Sequence, residues 1–431
     1  MYLFFIRAFN DVDHLTPIVW KMSEDKHPVA VYCTNPEYDI RNDYRLDFLK
    51  QLGITVAYIY DDFDQDLGAL HRVMRFLFQR SFALQSGSRP NPRSSFAIFS
   101  NPLRRLARET GVLLYKLTRR MFYDSNWARN ILERTGAQAL CFDWVSPERY
   151  VGKVLLEAAK DKAVPTLALP HGVNLYTNEL VKNDLPASRV RAKYRHYDRV
   201  VVQNSLAKEL MSKAGVESDK VLVLGSVRYC NEWMEQNKKI LPRVMSPKDE
   251  NTDRLKVVFM TTRPRYRVDA ERMLETFDML SNLSGVEVLV KPHTRTGKDA
   301  GIYRNLPLSN VADISSVELC EWADVMLVVA SSIIIETLKQ GKPTLYLKYL
   351  HENTTEYEDF GACWTIHDET ELQDALRSLR ESKSKVPYRD EDVDRWLSEI
   401  IYGGRSERDV LKDYAEFIVS CADQYDAPNV R

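Results

Sequence analysis

The sequence predicts two doubly wound α/β halves of Rossmann type facing a central cleft, and three observations carry that expectation. Short runs that are β-branched and apolar on both faces alternate with segments of helical period. The alternation stops once, at a polar stretch, and then restarts. A chain of 431 residues also exceeds the roughly 250 to 300 residues that one core usually fills.

The first half supplies "YLFFI", "PVAVYCT", "ITVAYIY", "QALCFDW", "PTLALP", "RVVVQN" and "KVLVLGS", separated by helical segments such as "RNDYRLDFLKQLG" and "RYVGKVLLEAAKDK". Strands with no polar face suit a parallel sheet covered on both sides. From Leu241 to Asp253, "LPRVMSPKDENTD" is polar and proline-bearing, the best linker in the chain. It divides the chain into residues 1–245 and 246–431. The second half repeats the pattern with "RLKVVFMTT", a helix from Val268 to Leu283, "VEVLVKPH", "DVMLVVASS", a helix through Ile335, and "PTLYLKY". The last helix is free to pack back on the first half. In such folds a ligand lies where the loops at strand C-termini gather.

One segment breaks the rhythm. Between Ser86 and Tyr123 a turn-rich "SGSRPNPRSS" precedes "NPLRRLARETGVLLYKLTRRMF", where leucines alternate with arginines and lysines. The pattern predicts a basic amphipathic helix or helix pair, either packing between domains or resting on a membrane surface.

Bulk properties narrow the function. Acidic and basic residues nearly cancel, at a formal charge of −1, so no nucleic-acid partner is expected. Six cysteines without CxxC spacing read as reduced and cytoplasmic. The N-terminus has no signal-peptide pattern, and no run is long and apolar enough to span a bilayer. The expected location is the cytoplasm, with the inner face of the membrane as a peripheral station.

Chemistry-bearing residues cluster after strands. In the second half, Thr261, Thr262 and Arg263 follow one strand, Lys291, His293 and Arg295 follow the next, and Ser331 and Ser332 open a helix that carries Glu336. Serines at a helix N-terminus, with cations nearby, suit a diphosphate, and Glu336 one turn further in suits a ribose hydroxyl. The serines also fit plain capping. In the first half Asp143 ends "QALCFDW", and His171, Gly172 and Asn174 follow the strand Thr166–Leu169.

The motifs "PHG", "GSVR", "KPH" and "SSIIIETLKQGKP", in that order, resemble those of GT-B glycosyltransferases of surface-polysaccharide synthesis, the group of CDP-glycerol glycerophosphotransferases and capsule or Kdo transferases. The likeness runs from about residue 130 to 380. It implies transfer of a sugar or polyol phosphate from a nucleotide-activated donor, a co-substrate with no further cofactor, to a glycan or lipid-linked acceptor. By the same resemblance Ser331, Ser332 and Glu336 hold the nucleotide, and Lys291 and His293 its phosphates. His171, Gly172 and Asn174 then belong to the acceptor side, with His171 as a catalytic residue at the reacting centre and Asp143 as general base, nucleophile or turn former. Arg228 in "GSVRY" either meets donor phosphate or braces the domains.

No metal is expected. The acidic "YDDFDQD" sits where a strand leads into a helix, and the histidines lack zinc spacing. Without a GxGxxG after the first strand, a nicotinamide enzyme is not indicated. Two other functions stay open: a nucleotide-sugar epimerase of the UDP-N-acetylglucosamine 2-epimerase type, and a non-catalytic nucleotide-sugar-binding protein of envelope assembly.

Overall fold

In the computed structural model the strand-like runs form two parallel sheets. The structure describes residues 1–63, 67–86, 97–143, 150–173, 175–177, 194–245, 253–262, 267–293, 307–405 and 408–426. The first sheet contains β1 (Tyr2–Ile6), β2 (Val29–Cys33), β3 (Thr55–Tyr58), β4 (Ala139–Asp143), β5 (Thr166–Leu169), β6 (Arg199–Val202) and β7 (Val221–Val223). Their spatial order is β3-β2-β1-β4-β5-β6-β7, with every pairing parallel. The second sheet contains β8 (Leu255–Met260), β9 (Val286–Lys291), β10 (Ser309–Asn310), β11 (Val325–Val328), β12 (Thr344–Leu347) and β13 (Trp364–Ile366), in the order β10-β9-β8-β11-β12-β13. Each sheet reverses its winding beside its first strand, and that switch point opens a crevice at the strand C-termini.

Period-two side-chain alternation explains why these strands have no polar face. In β1, Tyr2, Phe4 and Ile6 enter one core while Leu3 and Phe5 enter the core on the opposite face. In β8, Leu255, Val257 and Phe259 face one way, and Val258 and Met260 the other.

The departure from the regular rhythm is larger than the sequence predicts. A helix Gly68–Ser86 precedes the basic helix Ala97–Phe122, and the two pack side by side against the first sheet. The pair therefore begins about a helix length before the expected start at Ser86, because "LHRVMRFLFQR" mixes arginines into its apolar face and hides its period.

The C-terminal helices tie the domains together. Asp390–Tyr402 buries Trp396, Ile400 and Ile401 in the second domain, whereas Val410–Asp426 sends Tyr414 and Ile418 into the core under β1 and β4. Gly225, at φ +83°, comes so close to this junction that a Cβ would lie 2.2 Å from the Ile401 carbonyl oxygen. The next amide, of Ser226, donates to the same oxygen at 2.7 Å. Among the described residues no helix is long and apolar enough to cross a membrane. All six cysteines are buried and unbridged.

Candidate active site

The site grows from the ends of β1, β4 and β5, which flank the first switch point. After β1 the chain enters the helix Phe9–Glu24, whose first turn leaves backbone N–H groups unpaired. Asp11 meets that need: its Oδ2 accepts from the amides of Arg7 at 2.8 Å and Ala8 at 3.0 Å. From the end of β4, Asp143 receives both arms of Arg7, at 2.5 Å from Nη2 and 3.3 Å from Nε. After β5, His171 brings Nδ1 to 2.8 Å from Asp143 and 3.0 Å from Asp11.

Burial separates the roles. The side chains of Asp11 and Asp143 are 0% and 1% exposed, while His171 is 28% exposed. The Nε2 of His171 carries no hydrogen bond among the described residues. Asp143 thus stands behind the histidine, buried and bonded to its Nδ1 and to Arg7. The imidazole is held through Nδ1, with Nε2 on its other side.

The protons follow from the charges. Burial opposes ionisation of Asp143, but the His171 hydrogen bond and the Arg7 charge outweigh it and hold the carboxyl well below its usual range. Burial, then the Asp143 charge, pushes the Asp11 carboxyl up. Burial also works against a charged His171, yet its hydrogen bonds to Asp11 and Asp143 prevail and raise its pKa. The three side chains offer ligand atoms within 4.8 Å of one another, a spacing that a metal ion accepts. Arg7 already donates to Asp143 within the same cluster.

A second charged row leads across the cleft. Asp13, on the same first helix, takes Arg45 on one side and Arg228 Nη1 at 3.0 Å on the other, and Asp43 anchors Arg45 at 2.6 Å. Arg228 lies over the Tyr229 ring, 5.1 Å from its centroid. The Tyr229 hydroxyl donates to the Ser332 carbonyl at 3.1 Å. Glu336 sits one turn beyond, buried; burial raises its pKa to about 7 against the pull of Arg228. His14 lies beneath this row, held neutral by burial and by the Arg228 and His171 charges, and its Nδ1 has no partner among the described residues.

Arg228, Ser332 and Glu336 therefore adjoin, with Ser331 beside them. Ser332 occupies the N-cap position of Ile333–Lys339 without a side-chain capping bond, so its hydroxyl is not spent on the helix end. The serines are delivered by Ala330, which adopts φ +39°, a left-handed conformation that a Cβ resists. Its carbonyl is held by Tyr176 Oη at 3.0 Å.

Two other expected donor residues meet backbone carbonyls. Lys291 Nζ donates to the carbonyls of Ala312 and Ile314, both at 2.5 Å, and Thr261 is pinned to the Lys291 carbonyl, so both brace the scaffold. Thr262 is buried beside Thr261, and His293 is half-buried at the end of β9. Asn174 and Arg263 lie outside the described residues, as do Asp64 and Asp66 of the acidic run. Among the described residues a Cβ at Gly172 would meet nothing within 4 Å, so no packing there demands glycine.

Sequence reasoning missed Arg7, Asp11, Asp13 and His14. The signal was present: "IRAFNDVDH" puts a cation and two acids directly after an all-apolar strand, the pattern that singled out Asp143.

Comparison of the whole fold decides the architecture. A UDP-GlcNAc 2-epimerase from Neisseria meningitidis bound to UDP-GlcNAc superposes with a TM-score of 0.51 at 11% identity, covering 98% of this chain and 99% of that one. The chain has the GT-B fold. Anabaena HepE in complex with UDP and glucose (TM-score 0.51, 10% identity, 97% and 99% covered) and a glycosyltransferase from Rickettsia africae (0.50, 13%, 97% and 98%) are similar as well. No family model matches the sequence, and no curated protein matches it. In GT-B terms the His171 cluster lies on the first domain's lip of the cleft, and Ser331, Ser332 and Glu336 lie on the second's.

Proposed function

We propose that the protein is a metal-independent glycosyltransferase that moves a sugar from a nucleotide-activated donor to a hydroxyl of a glycan or lipid-linked acceptor. The observation that carries this reading is His171, whose Nδ1 is fixed by two buried carboxylates while Nε2 is free towards the cleft. That is the arrangement of a general base oriented from behind. On this reading the acceptor O–H gives its proton to Nε2 and the oxygen bonds to the anomeric carbon. The bond from that carbon to phosphate breaks, and the nucleotide departs. Arg228 neutralises its phosphate charge, Ser331 and Ser332 offer hydroxyls and backbone N–H groups, and Glu336 accepts from the ribose. Fold neighbours solved with UDP-GlcNAc or with UDP support a uridine nucleotide as the first donor to try.

A second reading, nucleotide-sugar 2-epimerisation, draws on the number of epimerases among structures of this fold, at 11–13% identity. One panel separates the two. UDP-, CDP-, GDP- and CMP-sugars are incubated with and without glycan acceptors, and nucleotide release and sugar identity are followed. Acceptor-dependent nucleotide release is expected. Sugar interconversion without acceptor would replace the transferase by the epimerase, and nucleotide binding without turnover would leave a binding protein.

A further inference from the structure

Most of the large apolar side chains left in solvent gather in one place. Among the described residues twelve such side chains are exposed, and eight of them lie on the helices Gly68–Ser86 and Ala97–Phe122. Their spacing is not random. Leu106, Leu113, Leu117 and Met121 recur at i, i+7, i+11 and i+15, one stripe of a helix, and Leu70, Val73 and Leu77 make a shorter stripe at i, i+3 and i+7. Leu106 is 60% exposed and Phe76 58%. The opposite faces are well anchored, since Phe78 and Tyr115 are buried against Tyr60 and Thr118 is fully buried. The stripes are thus held outward by a formed core.

Charge selects the partner. Residues 68–81 and 105–122 contain eight arginines and lysines and one acid, Glu109. Arg75, Arg105 and Arg108 are paired with Asp61, Glu109 and Glu37, whereas Arg72, Lys116 and Arg120 have no ion pair among the described residues. Two copies of this face would set cation against cation. An anionic bilayer satisfies both features, accepting leucines between its headgroups and attracting the cations around them. We infer that this helix pair is a docking surface for an anionic membrane, on which the protein lies without spanning it.

The surface is wired to the site. Tyr115 and Tyr60 join hydroxyls at 2.6 Å, Tyr60 donates to the Thr34 carbonyl at 2.5 Å, and Asn35 holds the Arg7 carbonyl at 2.8 Å. On the other side Arg119 donates to the carbonyl of Tyr150, seven residues after Asp143, at 2.8 Å. Docking would therefore bring the His171 side of the cleft to the bilayer, where a lipid-tailed acceptor offers its hydroxyl. Only that last consequence rests on the transferase reading.

Vesicle sedimentation tests the surface. At low ionic strength the full chain is expected to pellet with vesicles of phosphatidylcholine and phosphatidylglycerol, to stay in solution with phosphatidylcholine alone, and to be released by salt. Arg72→Gln, Lys116→Gln and Arg120→Gln combined, and separately Leu113→Ser with Leu117→Ser, should each reduce partitioning at least about tenfold. All five side chains are exposed, so folding should survive, and unchanged nucleotide affinity in the same variants shows that the cleft is intact. Failure of the wild type to pellet with either vesicle overturns the proposal. So does a leucine variant that converts a dimer to a monomer with vesicle binding unchanged, which would make the face an interface between copies. Loss of the transferase assignment alone leaves the vesicle result standing.

Discussion

At His171 the chemistry depends on which nitrogen is occupied. Because Nδ1 is held by Asp143 and Asp11, His171→Ala should lower kcat by about a hundredfold or more with little effect on nucleotide affinity. Asp143→Asn should do the same through misorientation, and calorimetry together with turnover separates binding from chemistry. A base must be neutral, and the pKa of His171 is raised. Activity should therefore climb with pH along a limb above the ordinary histidine value of about 6.5. Asp11→Asn removes a negative neighbour and should move that limb to lower pH, as a pH profile of kcat/KM will show. Glu336 tests a different balance. Its folded pKa of about 7 exceeds that of a free glutamate, so the folded state holds a proton that the unfolded state gives up. Stability from this group is complete below about pH 4 and is lost as pH rises towards 7. Glu336→Gln should stabilise the fold at pH 8 by on the order of 1–3 kcal/mol, read as a higher melting temperature, while weakening nucleotide binding.

At the scale of an element, the motif "GSVRY" shows how one turn serves both structure and site. Gly225 turns left-handed under the Ile401 carbonyl, so that Ser226 can bond it and Arg228 and Tyr229 can reach across to Glu336 and Ser332. Gly225→Ala should destabilise the fold by about 2 kcal/mol or more, read as a lower melting temperature, because it adds backbone strain and a 2.2 Å clash. The strand pattern was legible because buried parallel strands are apolar throughout. The helix pair was legible only in its second member, since an arginine-bearing exposed stripe looks like a surface in sequence and like a boundary in structure.

Across the whole molecule, the two domains share one C-terminal region. Ile418 belongs by sequence to the second half, yet it packs fully buried under the first sheet. Ile418→Ala should cost about 2–5 kcal/mol. The loss should appear as faster amide exchange in β1 and β4, not only in the helix that carries it. If exchange rises in the second sheet alone, the coupling drawn from the packing is absent.

The sequence alone determined the alternation of strands and helices and the strand-end positions of Asp143, His171, Arg228 and Ser331 to Glu336. Those follow from local periodicity and from the rule that loops after parallel strands gather in one crevice. Tertiary structure decided which of these residues meet and which atom of each is free. It turned Asp143 inward onto Arg7, bonded Lys291 to two carbonyls, and brought Asp11 and Asp13 of the first helix beside His171 and Arg228. The physical reason is separation along the chain. His171 and Asp11 lie 160 residues apart, and only strand order sets them 3.0 Å from each other.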